Sequence, residues 1–182
     1  MRSRLIAVVL AGAVTLVGAC GSDEDKPLTD AQGRWIDAFC GGLLPGMKAG
    51  LELKAQDPAD PAAVKAAYLK LVTGNATALA DAEKKLKELG PPSDELKNTH
   101  ERLVTYLGES ARSYEAAKAP VTALEPNGQF WEGAEKALAD TSQVGSPEQL
   151  RATFDALEKS PKYAAAMGKS TPCTELKSGG QQ

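Results

Sequence analysis

Residues that could carry acid–base or nucleophilic chemistry are scarce in this chain. Among its 182 residues there is one histidine, His100, and there are three cysteines. Any Ser-His-Asp or Cys-His arrangement would have to use His100, and no G-x-S-x-G sequence supplies a nucleophile on a strand-to-helix turn. We therefore expect no catalytic residues and no enzyme activity.

The position of His100 allows two interpretations. It lies in an apolar helical stripe that also contains Leu103 and Leu107. On the simpler interpretation, the imidazole lies in a seam between helices and forms a hydrogen bond with Asn75, Tyr114 or water. The alternative is an axial ligand of a bound group, or a side chain that contacts a ligand in a pocket between helices.

Two short patterns share part of a binding motif but lack its essential residues. Gly41 and Gly46 have the spacing of a phosphate-binding loop, but Met47 follows where the loop requires lysine, and no strand precedes it. Asp57 and Asp60 lack the further oxygen ligands and the closing glutamate of a calcium loop. We expect no metal site and no cofactor.

The overall composition is that of an ordinary globular protein. Hydrophobic residues make up 42% of the chain and the net charge is -3, so the chain can form a core and is not expected to be disordered. The excess of acidic groups argues against nucleic acid as a partner, because phosphates are bound by clustered basic residues.

The first twenty residues are organised like an export signal. Arg2 and Arg4 precede an apolar or small-residue run from Leu5 to Ala19. A helix of about 15 residues reaches only ~23 Å, which is shorter than the ~30 Å hydrocarbon core of a bilayer. We therefore predict that residues 1–19 are a cleaved signal peptide.

The end of this signal resembles the lipobox of bacterial lipoproteins. Val17, Gly18 and Ala19 supply the aliphatic residue and the two small residues that precede the cysteine, here Cys20. The resemblance implies that Cys20 receives a diacylglyceryl group and becomes the new N-terminus. Together with the alanine-rich composition, this motif makes the chain resemble the small lipoproteins of actinobacteria. It implies a location on the extracytoplasmic face of the cell membrane, with the lipid bilayer bound through the acylated Cys20.

The lipobox also divides the chain into segments. The residues after Cys20 are polar and acidic, so we expect residues 20–28 to form a lipidated tether. Residues 29–177 would form a helical bundle domain, and residues 178–182 would form a flexible tail.

Two cysteines remain once Cys20 is assigned to lipid. Cys40 and Cys173 are an even pair in an exported protein, and disulfides persist in such oxidising compartments. We therefore expect a disulfide between them. In the chain-entropy model, closing a loop of about 130 residues stabilises the fold by roughly 5 kcal/mol.

The apolar residues recur with a helical period almost everywhere, and no segment alternates convincingly like a strand. Residues 29–32 have the pattern of a capping box, and residues 60–61 are an aspartate cap followed by proline. Each of these patterns predicts the start of a helix. Residues 90–92, Gly-Pro-Pro, predict the end of the second helix. We expect Pro45 and Pro120 to kink or end the helices that contain them.

These helix signals predict a helical fold built around a hairpin of two long helices. Two long helices flank the stop signal at residues 90–92, and shorter segments must cover their apolar stripes. We predict an all-α protein, an antiparallel four- to five-helix bundle with a long central helical hairpin and one disulfide. Aromatic residues at helical spacing form its core or line a cavity between helices. The residues predicted to contact a ligand there are His100, Trp35, Phe39 and Trp131.

Two classes of function fit these expectations. The first is a membrane-anchored exported lipoprotein that acts as a non-catalytic binding or scaffold module for another protein of the cell envelope. The second is a carrier or sensor of a small apolar ligand held between the helices. An exposed apolar patch well above ~400 Å² and rimmed by charge would favour the first class, and a closed cavity of ~300 Å³ or more would favour the second.

Overall fold

The computed structural model describes residues 27–141 and 147–179, and these residues form seven α-helices without a β-strand. The all-α prediction is confirmed, although it expected only four or five helices. In chain order the helices are α1 (Asp30–Lys54), α2 (Pro61–Leu89), α3 (Lys97–Ala123), α4 (Phe130–Thr141), α5 (Pro147–Glu158), α6 (Pro161–Lys169) and α7 (Thr171–Gly179). The predicted signal peptide, Cys20 and residues 180–182 lie outside the described residues.

Both predicted helix starts are confirmed by hydrogen bonds. At the start of α1, the Gln32 backbone N–H donates to the Thr29 hydroxyl at 3.3 Å, and the Thr29 backbone N–H donates to the Gln32 side chain at 2.8 Å. At the start of α2, the Ala63 backbone N–H donates to the Asp60 carboxylate at 3.0 Å. Pro61 is the first residue of α2, where its missing N–H leaves no intrahelical bond unmade.

For the two internal prolines, the helix bounds test only the expectation that a proline ends its helix. Neither internal proline ends its helix, since α1 passes through Pro45 without a break and α3 continues beyond Pro120 to Ala123. Both are long helices packed against several neighbours, and this packing offsets the lost backbone hydrogen bond. Ser93, which is followed by two acidic residues, also predicts a capped helix start after the Gly-Pro-Pro stop. This prediction is wrong, because α3 begins at Lys97 and its cap position, Leu96, provides no side-chain hydrogen bond.

Helices α2 and α3 form the central hairpin. A turn joins them at one end, where Gly90 adopts a φ of 70° that favours glycine. At the other end, the Lys65 ammonium group near the start of α2 donates to the Thr122 carbonyl near the end of α3 at 2.8 Å. The two helices are therefore antiparallel, and α1 packs along α2.

The buried side chains form two clusters along the hairpin. The proximal core lies at the end where α1 begins, and its large members are Trp35, Phe39, Leu86, Leu103, Leu107, Leu157 and Tyr163. The distal core lies at the end where α1 finishes, and its members are Leu53, Tyr68, Val72, Ala117, Val121, Phe130 and Ala134. Because α1 has 25 residues, the two ends of the bundle are about 37 Å apart.

The predicted disulfide between Cys40 and Cys173 is confirmed, with 5.0 Å between the two Cα atoms. It joins α1 to α7, a nine-residue helix in a small, polar C-terminal stretch for which the sequence predicts no helix. Helix α7 also includes residues 178 and 179, the first two residues of the predicted flexible tail. A helix this short is marginal alone, so its packing on α1 and the disulfide account for its formation.

Candidate functional site

The single histidine is part of a buried pair. The Trp35 indole Nε1 donates a hydrogen bond to His100 Nδ1 at 3.0 Å, and the exposed fractions of Trp35 and His100 are 1% and 7%. The expected partners, Asn75 and Tyr114, are therefore wrong. Because Nδ1 accepts, the neutral ring carries its proton on Nε2. Burial lowers the pKa of His100, against a smaller opposing effect of Glu101.

The four residues predicted to contact a ligand do not meet around a common space. Trp35 has its ring centroid 5.8 Å from that of Phe39 and 6.1 Å from that of His100, and these three side chains are buried in or against the proximal core. Trp131 instead packs edge-on against Tyr68 with centroids 5.8 Å apart, beside the distal core. No member of the predicted set lines the main cavity described next.

A cavity of about 1020 Å³ lies where the two cores meet, and every helix except α4 contributes to its lining. Leu79 belongs to the proximal core, Leu71 packs against the distal core, and Tyr114 packs against both. The larger apolar side chains of its wall are Leu43, Met47, Leu71, Leu79, Leu150, Phe154, Met167 and Leu176. The cavity is therefore a mostly apolar space between helices that is partly open to solvent, and bundles bind ligands in such spaces.

A few uncharged polar groups interrupt this apolar wall. Ser110 is 1% exposed, and its hydroxyl has no hydrogen-bond partner among the described residues. Asn75 is also buried, and its side chain lies directly over Gly46, where an added Cβ would be 2.1 Å from the Asn75 Oδ1. Burial raises the pKa of the Tyr114 phenol, and the nearby Tyr106 raises it further. These groups can donate or accept hydrogen bonds without carrying charge.

Charged side chains in the lining are confined to its solvent-exposed edge. Glu158 at the end of α5 and Lys177 in α7 both line the cavity, and both are exposed. The buried part of the wall therefore carries no formal charge.

Helix α7 closes one side of this cavity and is held there by several contacts. Cys173 lies in the wall and is bonded to Cys40 of α1. The Lys48 ammonium group pairs with the Glu175 carboxylate at 2.6 Å, although an exposed pair of this kind contributes little stability. The covalent bond is thus the strongest constraint on this side of the cavity.

Sequence reasoning missed this site although a signal for it was present. Asn75, Ser110 and Tyr114 occupy positions of the apolar stripes of α2 and α3, where a polar residue requires a partner. Tyr106, Ser110 and Tyr114 are spaced four residues apart, which places them on one face of α3. The residues predicted to contact a ligand were instead the histidine and the larger aromatic residues, most of which lie in or against the proximal core.

A second, smaller cavity lies at the distal end. Its volume is about 370 Å³, and it lies between the end of α1, the start of α2 and the loop before α4. Trp131 lines it and is the one large hydrophobic side chain that is exposed among the described residues, at 47%. Its indole Nε1 donates to the Glu135 carboxylate at 2.8 Å.

Within residues 27–141 and 147–179, no group of three or more His, Cys, Asp or Glu side chains could hold a metal ion. None of the helices in these ranges is both long enough and apolar enough to cross a membrane. Comparison of the chain with protein-family models, with curated proteins and with solved structures finds no match.

Proposed function

We propose that the protein is a non-catalytic binding protein of the cell envelope that carries or senses a small apolar ligand between its helices. The observation that carries this proposal is the cavity of about 1020 Å³, which is far above the ~300 Å³ at which ligand sites begin. The surface also favours a ligand carrier over a protein-docking module, because only Trp131 among the described large hydrophobic side chains is exposed.

The proposal includes attachment to the membrane through Cys20. Its support is the resemblance of residues 17–20 to a lipobox and the disulfide, which is typical of exported proteins. Seven residues lead from Cys20 to Pro27, and a fully extended segment of that length spans at most ~25 Å. The cavity would then stay within a few nanometres of the bilayer, which is a source of apolar molecules.

The binding function is tested with a fluorescent apolar probe, N-phenyl-1-naphthylamine. The measurement uses the Cys20→Ser variant, exported into an oxidising compartment so that the disulfide forms. Without its lipid, this protein needs no detergent, which would compete with the probe for the cavity. We expect saturable binding with one probe molecule per chain. Ala164→Trp, in the cavity wall, should weaken probe binding about tenfold or more by filling the space.

The matched control is Ala165→Trp, because Ala165 is the next residue of α6 and is exposed. This variant should bind the probe like the parent chain. Equal binding by both tryptophan variants, or no saturable binding by the parent, would reject the proposed function.

A second candidate function, contact with another envelope protein, is favoured by Trp131. Its exposed indole lies beside the distal cavity, at the end of the bundle opposite the start of α1. If the chain is anchored at its N-terminus, this surface is on the side away from the anchor. A partner that binds there should be retained from solubilised envelope by the parent chain and lost with Trp131→Ala.

A further inference from the structure

We propose that the ligand is a lipid-sized amphiphile with an uncharged hydrogen-bonding group, such as a long-chain alcohol, ester or amide, and that this group enters the cavity and pairs with Ser110 and Asn75. This inference rests on the proposed binding function and specifies the chemistry of its ligand.

The first support is the unpaired hydroxyl of Ser110. It lines the cavity, is 1% exposed and has no hydrogen-bond partner among the described residues. Buried polar groups are nearly always paired, since an unpaired group loses its bonds to water without replacement. A ligand oxygen or N–H group in the cavity would supply the missing partner.

The second support is the set of uncharged polar groups that line the same cavity as this serine. Asn75 brings a carboxamide, which has both donors and an acceptor, and Tyr106 and Tyr114 bring two phenols. Because burial raises the pKa of Tyr114, its phenol remains protonated at neutral pH and can also donate. These groups can bind a hydroxyl, a carbonyl or an amide.

The third support is the distribution of charge. Lys177 is the one cation and Glu158 the one anion among the described lining residues, and both are exposed. A carboxylate or phosphate inserted beyond them would lose its hydration without meeting an opposite charge, which is unfavourable. The inserted group is therefore neutral.

The size and the wall of the cavity indicate the rest of the ligand. Its volume of about 1020 Å³ is at the upper end of the ~300–1,000 Å³ range of sites for drug-sized molecules. Met47 and Met167 lie in the wall, and methionine side chains adapt to irregular apolar shapes. A flexible hydrocarbon chain suits such a wall.

The test compares three probes with the same twelve-carbon chain, namely 1-dodecanol, dodecane and dodecanoate at pH 8. Each probe is titrated against N-phenyl-1-naphthylamine bound to the Cys20→Ser chain, and the displacement of this fluorescent probe measures its affinity. We expect 1-dodecanol to bind most tightly. Ser110→Ala should weaken the binding of 1-dodecanol about threefold to tenfold, the range expected for one hydrogen bond, and should leave dodecane unaffected.

The matched control is Ser113→Ala, a buried serine of the same helix that does not line the cavity. It should leave the binding of all three probes unchanged, and circular dichroism should verify that both variants fold. Equal affinities for 1-dodecanol and dodecane, with no effect of Ser110→Ala, would overturn the ligand class while probe binding still supports the proposed function.

Preferential binding of the anionic probe would place the polar group of the ligand at the charged edge of the cavity instead. If dodecanoate binds most tightly and Lys177→Gln weakens it, the ligand is anionic and the inference is wrong. If the fluorescent probe itself does not bind, both the inference and the proposed function fail.

Discussion

Trp35 and His100 form a buried hydrogen bond, in which the indole Nε1 donates to the imidazole Nδ1 over 3.0 Å. The pair joins the second turn of α1 to the start of α3 at the proximal end of the bundle. Because the acceptor nitrogen must be unprotonated, the bond exists only with the neutral ring. The chain's single histidine thus has a structural role in the proximal core.

The first prediction is that acid destabilises the protein through His100. Burial lowers the pKa of this imidazole below its value in the unfolded chain, so the unfolded state binds more protons in the interval between the two pKa values. The resulting stabilisation is complete above about pH 6.5 and is lost as the pH falls through the lowered pKa. Urea unfolding between pH 7.5 and 5, followed by tryptophan fluorescence, measures this loss.

His100→Asn is the control for this prediction, because an asparagine oxygen can accept from Trp35 without titrating. The variant should lose less of its unfolding free energy on acidification than the parent chain. An identical pH dependence in both chains would assign the acid sensitivity to other groups.

The second prediction concerns the disulfide. Replacing both Cys40 and Cys173 by alanine should lower the unfolding free energy by about 2–5 kcal/mol. Hydrogen exchange should show the loss of protection in α7 before α2, since the nine-residue α7 is marginal without its covalent contact. Dithiothreitol should reproduce the effect in the parent chain. If it also destabilises the double variant, the effect of the reagent is not due to this bond.

The third prediction concerns the close contact between Gly46 and Asn75. An added Cβ at Gly46 would be 2.1 Å from Asn75 Oδ1, so Gly46→Ala must displace the amide and should cost about 1–3 kcal/mol. Gly50→Ala, four residues later in α1, meets nothing within 4 Å and should be neutral or stabilise by up to ~1 kcal/mol. Thermal unfolding compares the two variants, and equal melting temperatures would contradict the contact.

The fourth prediction concerns the lipid anchor, which is implied by the resemblance of residues 17–20 to a lipobox. Cys20→Ser should abolish the incorporation of labelled palmitate and release the protein from the membrane fraction. Ser22→Ala is a matched change two residues later and should preserve both properties. Normal labelling of the Cys20→Ser chain would show that this cysteine is not the acylated residue.

The sequence predicts the fold better than the site. Helix starts depend on residues that are close in sequence, whereas the site combines residues that are far apart in sequence. Helix starts at Thr29 and Asp60 depend on hydrogen bonds within four residues, and the disulfide follows from the number of cysteines. The continuity of α1 through Pro45 and the formation of α7 depend on contacts with remote segments. Local patterns do not encode these contacts.

The location of the cavity between the helices was missed for the same reason. Its lining combines residues from Leu43 to Lys177, and no local pattern shows that Ser110 borders the cavity while Ser113 does not. Conversely, the aromatic and histidine residues chosen from the sequence are those that fill space best. Trp35 and Phe39 therefore became core residues, and the space that remains is bounded largely by leucine and methionine side chains together with Tyr106, Tyr114 and Phe154.

The bond between Cys40 and Cys173 also determines how the protein responds to proteases. It spans 133 residues, so α2 to α6 all lie within one covalent ring. A protease that cuts any single peptide bond between these cysteines opens the ring but leaves both fragments joined. Such a nicked molecule migrates as one species without reductant and separates into two pieces only after reduction.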